Sequence, residues 1–207
     1  MGGPAYNSPC EDFVPGRYVA PGVIFTTRGC PNKCGFCFVP KREGEFRELP
    51  IVQGNVIQDN NILAASDKHW AALMEMLKGQ HTIKFSGGLE ARRLTDKKIQ
   101  DLRGLRIAEM YLACDTPGAL RVVAEKIKKL TAAGFTRSHI YVYVICGKDQ
   151  DEEEARMEQI FLAGGQPFAQ LFQPEEKIKY SRDWRKFATK WSRPAAFVSN
   201  MEDLFKI

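Results

Sequence analysis

Short apolar runs and stretches of helical period alternate along most of this chain. Val23-Ile24-Phe25-Thr26 and Gly54-Asn55-Val56-Ile57-Gln58 read as strands. Ser66 then caps a helix whose apolar face is Trp70, Leu73, Met74 and Leu77, with Gly79 ending it. The alternation repeats: a strand over Thr82–Ser86, a helix capped by Thr95 with Ile99 and Leu102 inward and Gly104 at its end, and a strand over Ile107–Cys114. Thr116-Pro117 opens a helix carrying Leu120, Val123, Ile127 and Leu130 on one face, and Gly134 stops it. His139–Cys146 is a continuous apolar run, the mark of a strand buried on both faces. A helix follows over Asp151–Ala163, with Glu152, Glu153 and Glu154 in the first turn, where the helix dipole favours anions. Phe168–Phe172 reads as a sixth strand and Arg182–Trp191 as a last helix.

Six strands alternating with helices predict an α/β fold with a parallel sheet and right-handed crossovers. Eight such units close a full barrel, and this chain has room for about six. Residues 1–21, rich in Gly, Pro and small polar groups, read as an irregular arm. Residues 22–207 read as one core domain with a short C-terminal helical extension.

Composition narrows the class without naming a function. The 207 residues suffice for one substantial core, and 44% hydrophobic with 27% charged residues is ordinary for a folded soluble protein. No run approaches the ~20 apolar residues of a membrane span, and Met1-Gly2-Gly3-Pro4-Ala5-Tyr6-Asn7-Ser8 lacks the basic and apolar regions of a secretory signal. The expected setting is the cytoplasm, with no membrane partner. A net charge of +5 is compatible with an anionic substrate and diagnoses none.

The densest chemistry lies in Thr26-Thr27-Arg28-Gly29-Cys30-Pro31-Asn32-Lys33-Cys34-Gly35-Phe36-Cys37-Phe38. Three thiols at C-x3-C-x2-C spacing can wrap one corner of a cubane [4Fe-4S] cluster. Such a cluster normally takes four cysteines, so three leave one iron open to a small molecule. Zinc is the competing reading, but zinc sites usually need a fourth Cys or His at matching spacing, and no second C-x2-C or H-x3-H follows. Disulfides suit secreted mini-proteins, which this composition does not resemble.

The triplet, with aromatic Phe36 just before its last cysteine, resembles the signature of the radical S-adenosylmethionine (SAM) superfamily. The resemblance implies that Cys30, Cys34 and Cys37 hold a [4Fe-4S] cluster whose open iron chelates the amino and carboxylate groups of SAM. It implies reductive cleavage of SAM to methionine and a 5′-deoxyadenosyl radical, which takes a hydrogen atom from a substrate. A reducing partner such as flavodoxin or ferredoxin is implied as well. The superfamily's usual core is a partial (β/α)6 barrel of parallel strands, matching the count of units above.

Ligands of parallel sheets sit at the carboxyl ends of the strands, so residues just past each strand become candidates. The superfamily often supplies acceptors for the SAM amine from a Gly-Gly-Glu motif after the second strand. Ser86-Gly87-Gly88-Leu89-Glu90 resembles that motif with one insertion, but it follows the third predicted strand. Asp59-Asn60-Asn61 fills the second-strand slot and is the favoured amine-binding turn; a plain Asx turn is its bland alternative. Gly87, Gly88, Glu90 and Arg92 would then line the SAM or substrate side, with Arg92 a partner for a carboxylate. Asp115 past the fourth strand either accepts from ribose hydroxyls or only introduces the next helix. Ile145-Cys146-Gly147 matches part of the superfamily's adenine-contact pattern Gly-x-Ile-x-Gly-x-x-Glu, with Tyr143 and Gln150 in place of its first Gly and its Glu.

Cys114 and Cys146 read as small buried hydrophobes. Cys10 lies in the arm without a role, and His69, His81 and His139 are assigned none. No catalytic side chain is identifiable. Lys177–Arg193 carries seven basic residues, but Trp184, Phe187, Ala188 and Trp191 fall on one helical face, as core packing requires. The basic remainder reads as a solvated strip, so a small-molecule or peptide substrate is expected rather than nucleic acid. Two alternatives stay open: an electron-transfer iron–sulfur protein without SAM cleavage, and a zinc-stabilised nucleic-acid-binding module.

Overall fold

The computed structural model describes residues 20–192. Residues 1–19 of the arm, Cys10 among them, and Arg193 with all that follows it, lie outside the described residues. Among the described residues, eight strands and six α-helices follow in chain order: β1 (Val23–Ile24), β2 (Thr27–Arg28), α1 (Val39–Glu43), β3 (Arg47–Glu48), β4 (Val56–Ile57), α2 (Asp67–Lys78), β5 (Ile83–Leu89), α3 (Asp96–Arg103), β6 (Ile107–Ala113), α4 (Leu120–Ala132), β7 (Ile140–Cys146), α5 (Gln150–Leu162), β8 (Gln166–Leu171) and α6 (Arg182–Ser192). The main sheet is six-stranded and parallel, in the order β1-β4-β5-β6-β7-β8. With helices flanking it, this is an α/β fold compatible with a partial α/β barrel. Strands β2 and β3 form a separate antiparallel pair. Within the span read as one core domain, the chain forms two compact units that divide inside β6, between Met110 and Tyr111.

In the first unit, β1 and β4 pair over only two residues, Val23 with Val56 and Ile24 with Ile57. The sequence predicts longer strands there. Pairing stops because the next amides, Thr26 and Thr27, donate to the Asp59 carboxylate instead of to a neighbouring strand. Strand β5, in contrast, outruns its expected end at Ser86 and includes Gly87, Gly88 and Leu89. Gly87 makes that possible. A Cβ there would lie 2.0 Å from the Asp59 carbonyl oxygen, so only glycine lets the two backbones approach this closely. The Gly-Gly pair is therefore part of the strand, not of the loop past it.

The helix signals hold closely. Ser66 accepts from the His69 amide and Thr95 from the Lys98 amide, the expected caps of α2 and α3. Trp70, Leu73, Met74 and Leu77 are buried, joined on the same helix by His69. The Trp70 indole N–H donates to Asp101 of α3 at 2.9 Å.

In the second unit, β7 pairs with β8 in parallel from Tyr141–Gln166 to Cys146–Leu171. Its apolar run proves one-sided. Ile140, Val142, Val144 and Cys146 are buried, while Tyr141, Tyr143 and Ile145 are half-buried. The tyrosine face stacks on Tyr111, with ring centroids 4.9 and 4.6 Å apart, and Phe168 meets Tyr111 and Tyr143 edge-on. Amphipathic tyrosine lets an apolar-looking strand keep one face half open. Pro117 starts a 3-10 turn rather than the helix itself, which begins at Leu120. Asp149 caps α5, accepting from the Glu152 amide. On α6, Phe187 and Trp191 are buried as their spacing predicts, while Arg182, Arg185 and Lys186 are exposed. Among the described residues no helix is long and apolar enough to cross a membrane.

Candidate functional site

The cysteine segment leaves β1 through two anchored residues. The Asp59 carboxylate accepts from the Thr26 amide and hydroxyl, each at 2.6 Å, and from the Thr27 amide at 2.8 Å. Asp59 is 1% exposed. Burial pushes its carboxyl above the usual aspartate range, and these hydrogen bonds oppose that rise. The sequence puts Asp59 forward as an acceptor for a ligand amine, yet its oxygens are engaged in fixing the entry to the loop.

A second clasp closes the loop from the other side. Glu43, the last residue of α1, accepts from the Gly29 amide at 3.0 Å and the Asn60 side-chain amide at 2.5 Å, and pairs with the Arg28 guanidinium at 2.9 Å. Arg28 and Glu43 are each 12% exposed, so the pair is largely withdrawn from water. Gly29, at φ +72°, approaches Glu45 so closely that a Cβ would lie 2.3 Å from its carbonyl oxygen. Cys30, Cys34 and Cys37 all lie between the two sides of this clasp.

Cys34 is exposed, and Cys30 and Cys37 are half-buried, as is Phe36. The Cys37 amide donates to the Cys34 carbonyl at 3.0 Å, which turns the chain between them. No disulfide joins any of the five described cysteines. Among the described residues, no group of three or more His, Cys, Asp or Glu side chains is arranged to hold a metal ion. The thiols share one loop but do not converge in this structure.

Past β4, Asn60 and Asn61 separate. Asn60 belongs to the Glu43 clasp. Asn61 is 3% exposed and enters a 3-10 turn, Ile62–Ala64, whose Ile62 and Leu63 are buried. The Lys98 ammonium donates to the Leu63 carbonyl at 2.8 Å and fixes that turn. The Asn61 amide nitrogen donates to Glu90 at 2.7 Å and lies 3.7 Å from the Cys30 sulfur. Its carbonyl oxygen is buried and has no hydrogen-bond partner.

Glu90 gathers the rest of the cluster. Its carboxylate pairs with Arg92 at 2.8 Å and Arg93 at 2.9 Å. Burial opposes its ionisation, but hydrogen bonds from Asn61 and Asn32 and the two guanidiniums outweigh burial and hold it below the usual glutamate range. Arg92 remains 71% exposed. The structure thus unites Cys30, Asn61, Glu90 and Arg92 of the sequence candidates. Gly87 and Gly88 serve as strand residues, and Asp59 and Asn60 serve as anchors. Glu43, Arg28, Asn32 and Arg93 escape the sequence reading. Glu43 carries no local signal, because its partners come from residues 28–29 and 60, on either side of the cysteine loop.

The second unit has its own polar group. Asp115 accepts from the Ile145 amide at 3.2 Å, and burial pushes its carboxyl up against the opposing charge of Arg156. Cys114 and Cys146 are buried, and burial pushes each thiol up to about 12, as expected of small core residues. Buried Arg156 donates to the Cys114 carbonyl at 3.3 Å, and buried Glu153 accepts from the Gly147 and Lys148 amides.

No protein-family model matches the chain, and no curated protein matches it.

Proposed function

We propose that this chain is a radical SAM enzyme of the partial (β/α)6 barrel type. Cys30, Cys34 and Cys37 would hold a [4Fe-4S] cluster through three thiolates. Three sulfurs on one short loop, clasped at its root, are the donor chemistry of such a cluster, although they stand apart in this structure. When bound, the cluster supplies the electron that cleaves SAM to begin hydrogen abstraction from a substrate.

The observation that carries this reading is Asn61. Its carbonyl oxygen is buried, unpartnered and carried by the same amide that lies against the Cys30 sulfur. A buried acceptor without a donor is costly unless a ligand satisfies it. An ammonium group beside the cysteine loop would do so, and SAM offers one. Arg92, mostly exposed, would meet a carboxylate. Asp59 and Glu43 would hold the loop in place rather than touch the ligand. A reduced flavodoxin or ferredoxin would donate the electron in the cytoplasm, and the substrate would be a small molecule or peptide.

The test is anaerobic reconstitution of the full chain with iron and sulfide. About four irons per chain are expected, together with formation of 5′-deoxyadenosine and methionine from SAM after reduction. Changing Cys30, Cys34 and Cys37 to Ala should abolish both. Iron retained without any SAM cleavage would favour the electron-transfer alternative. Stoichiometric zinc with no iron uptake would defeat the proposal.

A further inference from the structure

Two of the three loop cysteines stand at opposite corners of one tight turn. The Cys37 amide donates to the Cys34 carbonyl at 3.0 Å, with Gly35 and Phe36 between them. That bond closes a β-turn, whose first and fourth Cα atoms lie less than about 7 Å apart. A disulfide spans Cα atoms roughly 4.4–6.8 Å apart, so the backbone already holds this pair in the bridging range. Cys34 is exposed and Cys37 half-buried, so rotation of their side chains meets little packing. Gly35 is exposed, and a Cβ placed on it would meet nothing within 4 Å, so the turn has room to adjust. Cys30 is set apart from the pair. Pro31 separates it from the turn, and its sulfur lies 3.7 Å from the Asn61 side-chain nitrogen.

We infer that Cys34 and Cys37 form a dithiol that closes reversibly to a disulfide, with a small-molecule disulfide such as oxidised glutathione as the oxidant. The exposed Cys34 is the entry thiol. Its thiolate attacks one sulfur of the oxidant and displaces one glutathione thiolate, leaving a mixed disulfide. The Cys37 thiolate then attacks the Cys34 sulfur and displaces the second glutathione. Two protein thiols lose two electrons and two protons, and the oxidant leaves as two thiols. An exposed bond of this kind is labile, unlike the structural disulfides of secreted domains. While closed, it withholds both sulfurs from any metal, because the ligating species is the thiolate. The bond forms on the loop as it stands, without a metal, and does not rest on the function proposed above.

The test treats the full chain, reduced and stripped with a chelator, with excess oxidised glutathione under argon. Remaining thiols are alkylated, and tryptic peptides are weighed. Cleavage after Lys33 and Lys41 puts Cys34 and Cys37 together in residues 34–41 and leaves Cys30 in residues 29–33. Residues 34–41 should come out two hydrogens lighter and unalkylated, residues 29–33 alkylated, and dithiothreitol should reverse the change. Cys30→Ser should behave as wild type. Cys37→Ser should stop with one glutathionyl group on Cys34, and Cys34→Ser should form no disulfide within the loop. Residues 34–41 left fully alkylated in wild type, or a bridge from Cys30 to either thiol as the main product, overturns the inference. A chain that cleaves SAM but closes no such bond sinks this inference alone. A chain that closes the bond yet takes up no iron sinks only the function proposed above and supports this inference.

Discussion

Asp59 and Asn61 stand two residues apart and use their polar atoms in opposite ways. Asp59 gives its carboxylate to Thr26 and Thr27, whereas Asn61 keeps a buried oxygen without a partner. Under the proposed function, replacing Asn61 by Ala should therefore weaken SAM binding while leaving iron content near normal. Loss of a hydrogen bond to a charged group typically costs ~1.5–3 kcal/mol, or roughly ten- to a hundredfold in affinity, readable by calorimetry on reconstituted protein. Asp115 carries a different consequence. Burial raises its folded pKa above the unfolded value, so its contribution to stability is fully present below the ordinary aspartate range. That contribution is lost as pH rises through the raised value. Asp59 acts with the same sign, and Glu90, held low, with the reverse. The Asp115→Asn variant should lose less stability than wild type as pH rises from the ordinary aspartate range towards neutrality. Urea midpoints across a pH series measure it, and an unchanged slope would count against a buried, raised Asp115.

Elements were legible in the sequence where their signals are local. Ser66 and Thr95 announce α2 and α3 because capping is a contact between residues three apart. The period of Val123, Ile127 and Leu130 announces α4 for the same reason. The β2–β3 pair and α1 were illegible. Their sequences, Thr27-Arg28, Arg47-Glu48 and Val39–Glu43, have no usable period, and their closure depends on Glu43 meeting Arg28 and Gly29 across the loop. Within the candidate site, the cysteines and Asn61 could be seen from motif and strand end, but the Glu90 partnership could not. The extension of β5 was missed because glycines read as a break, whereas here Gly87 permits contact with the Asp59 backbone. Gly87→Ala should force β4 and β5 apart and cost ~1–3 kcal/mol, the usual penalty for overpacking. A lowered urea midpoint with an unchanged m-value is the expected result, and wild-type stability would show that the strands yield without cost.

Across the whole molecule, the apolar interior and the sulfur chemistry come from different stretches of chain. Among the described residues, the buried hydrophobic side chains begin with Ile24 and resume only at Ile57. Helix α1, just after the third cysteine, buries none of its residues. Everything that would grip a metal is thus an excursion from a sheet completed without it, held at its root by Asp59 and Glu43. Under the proposed function this implies an order of maturation, in which the polypeptide would fold first and the inorganic centre would be loaded last, on a finished scaffold. That is the reverse of small zinc modules, whose folding free energy is the metal's own. Chelator-stripped protein should keep its far-ultraviolet circular dichroism and a single cooperative thermal transition. Collapse of the spectrum on chelation would show that the metal is a partner in folding. Under the proposed function, a scaffold that stands without its centre could be loaded, stripped and loaded again, so that damage to the centre would not cost the polypeptide.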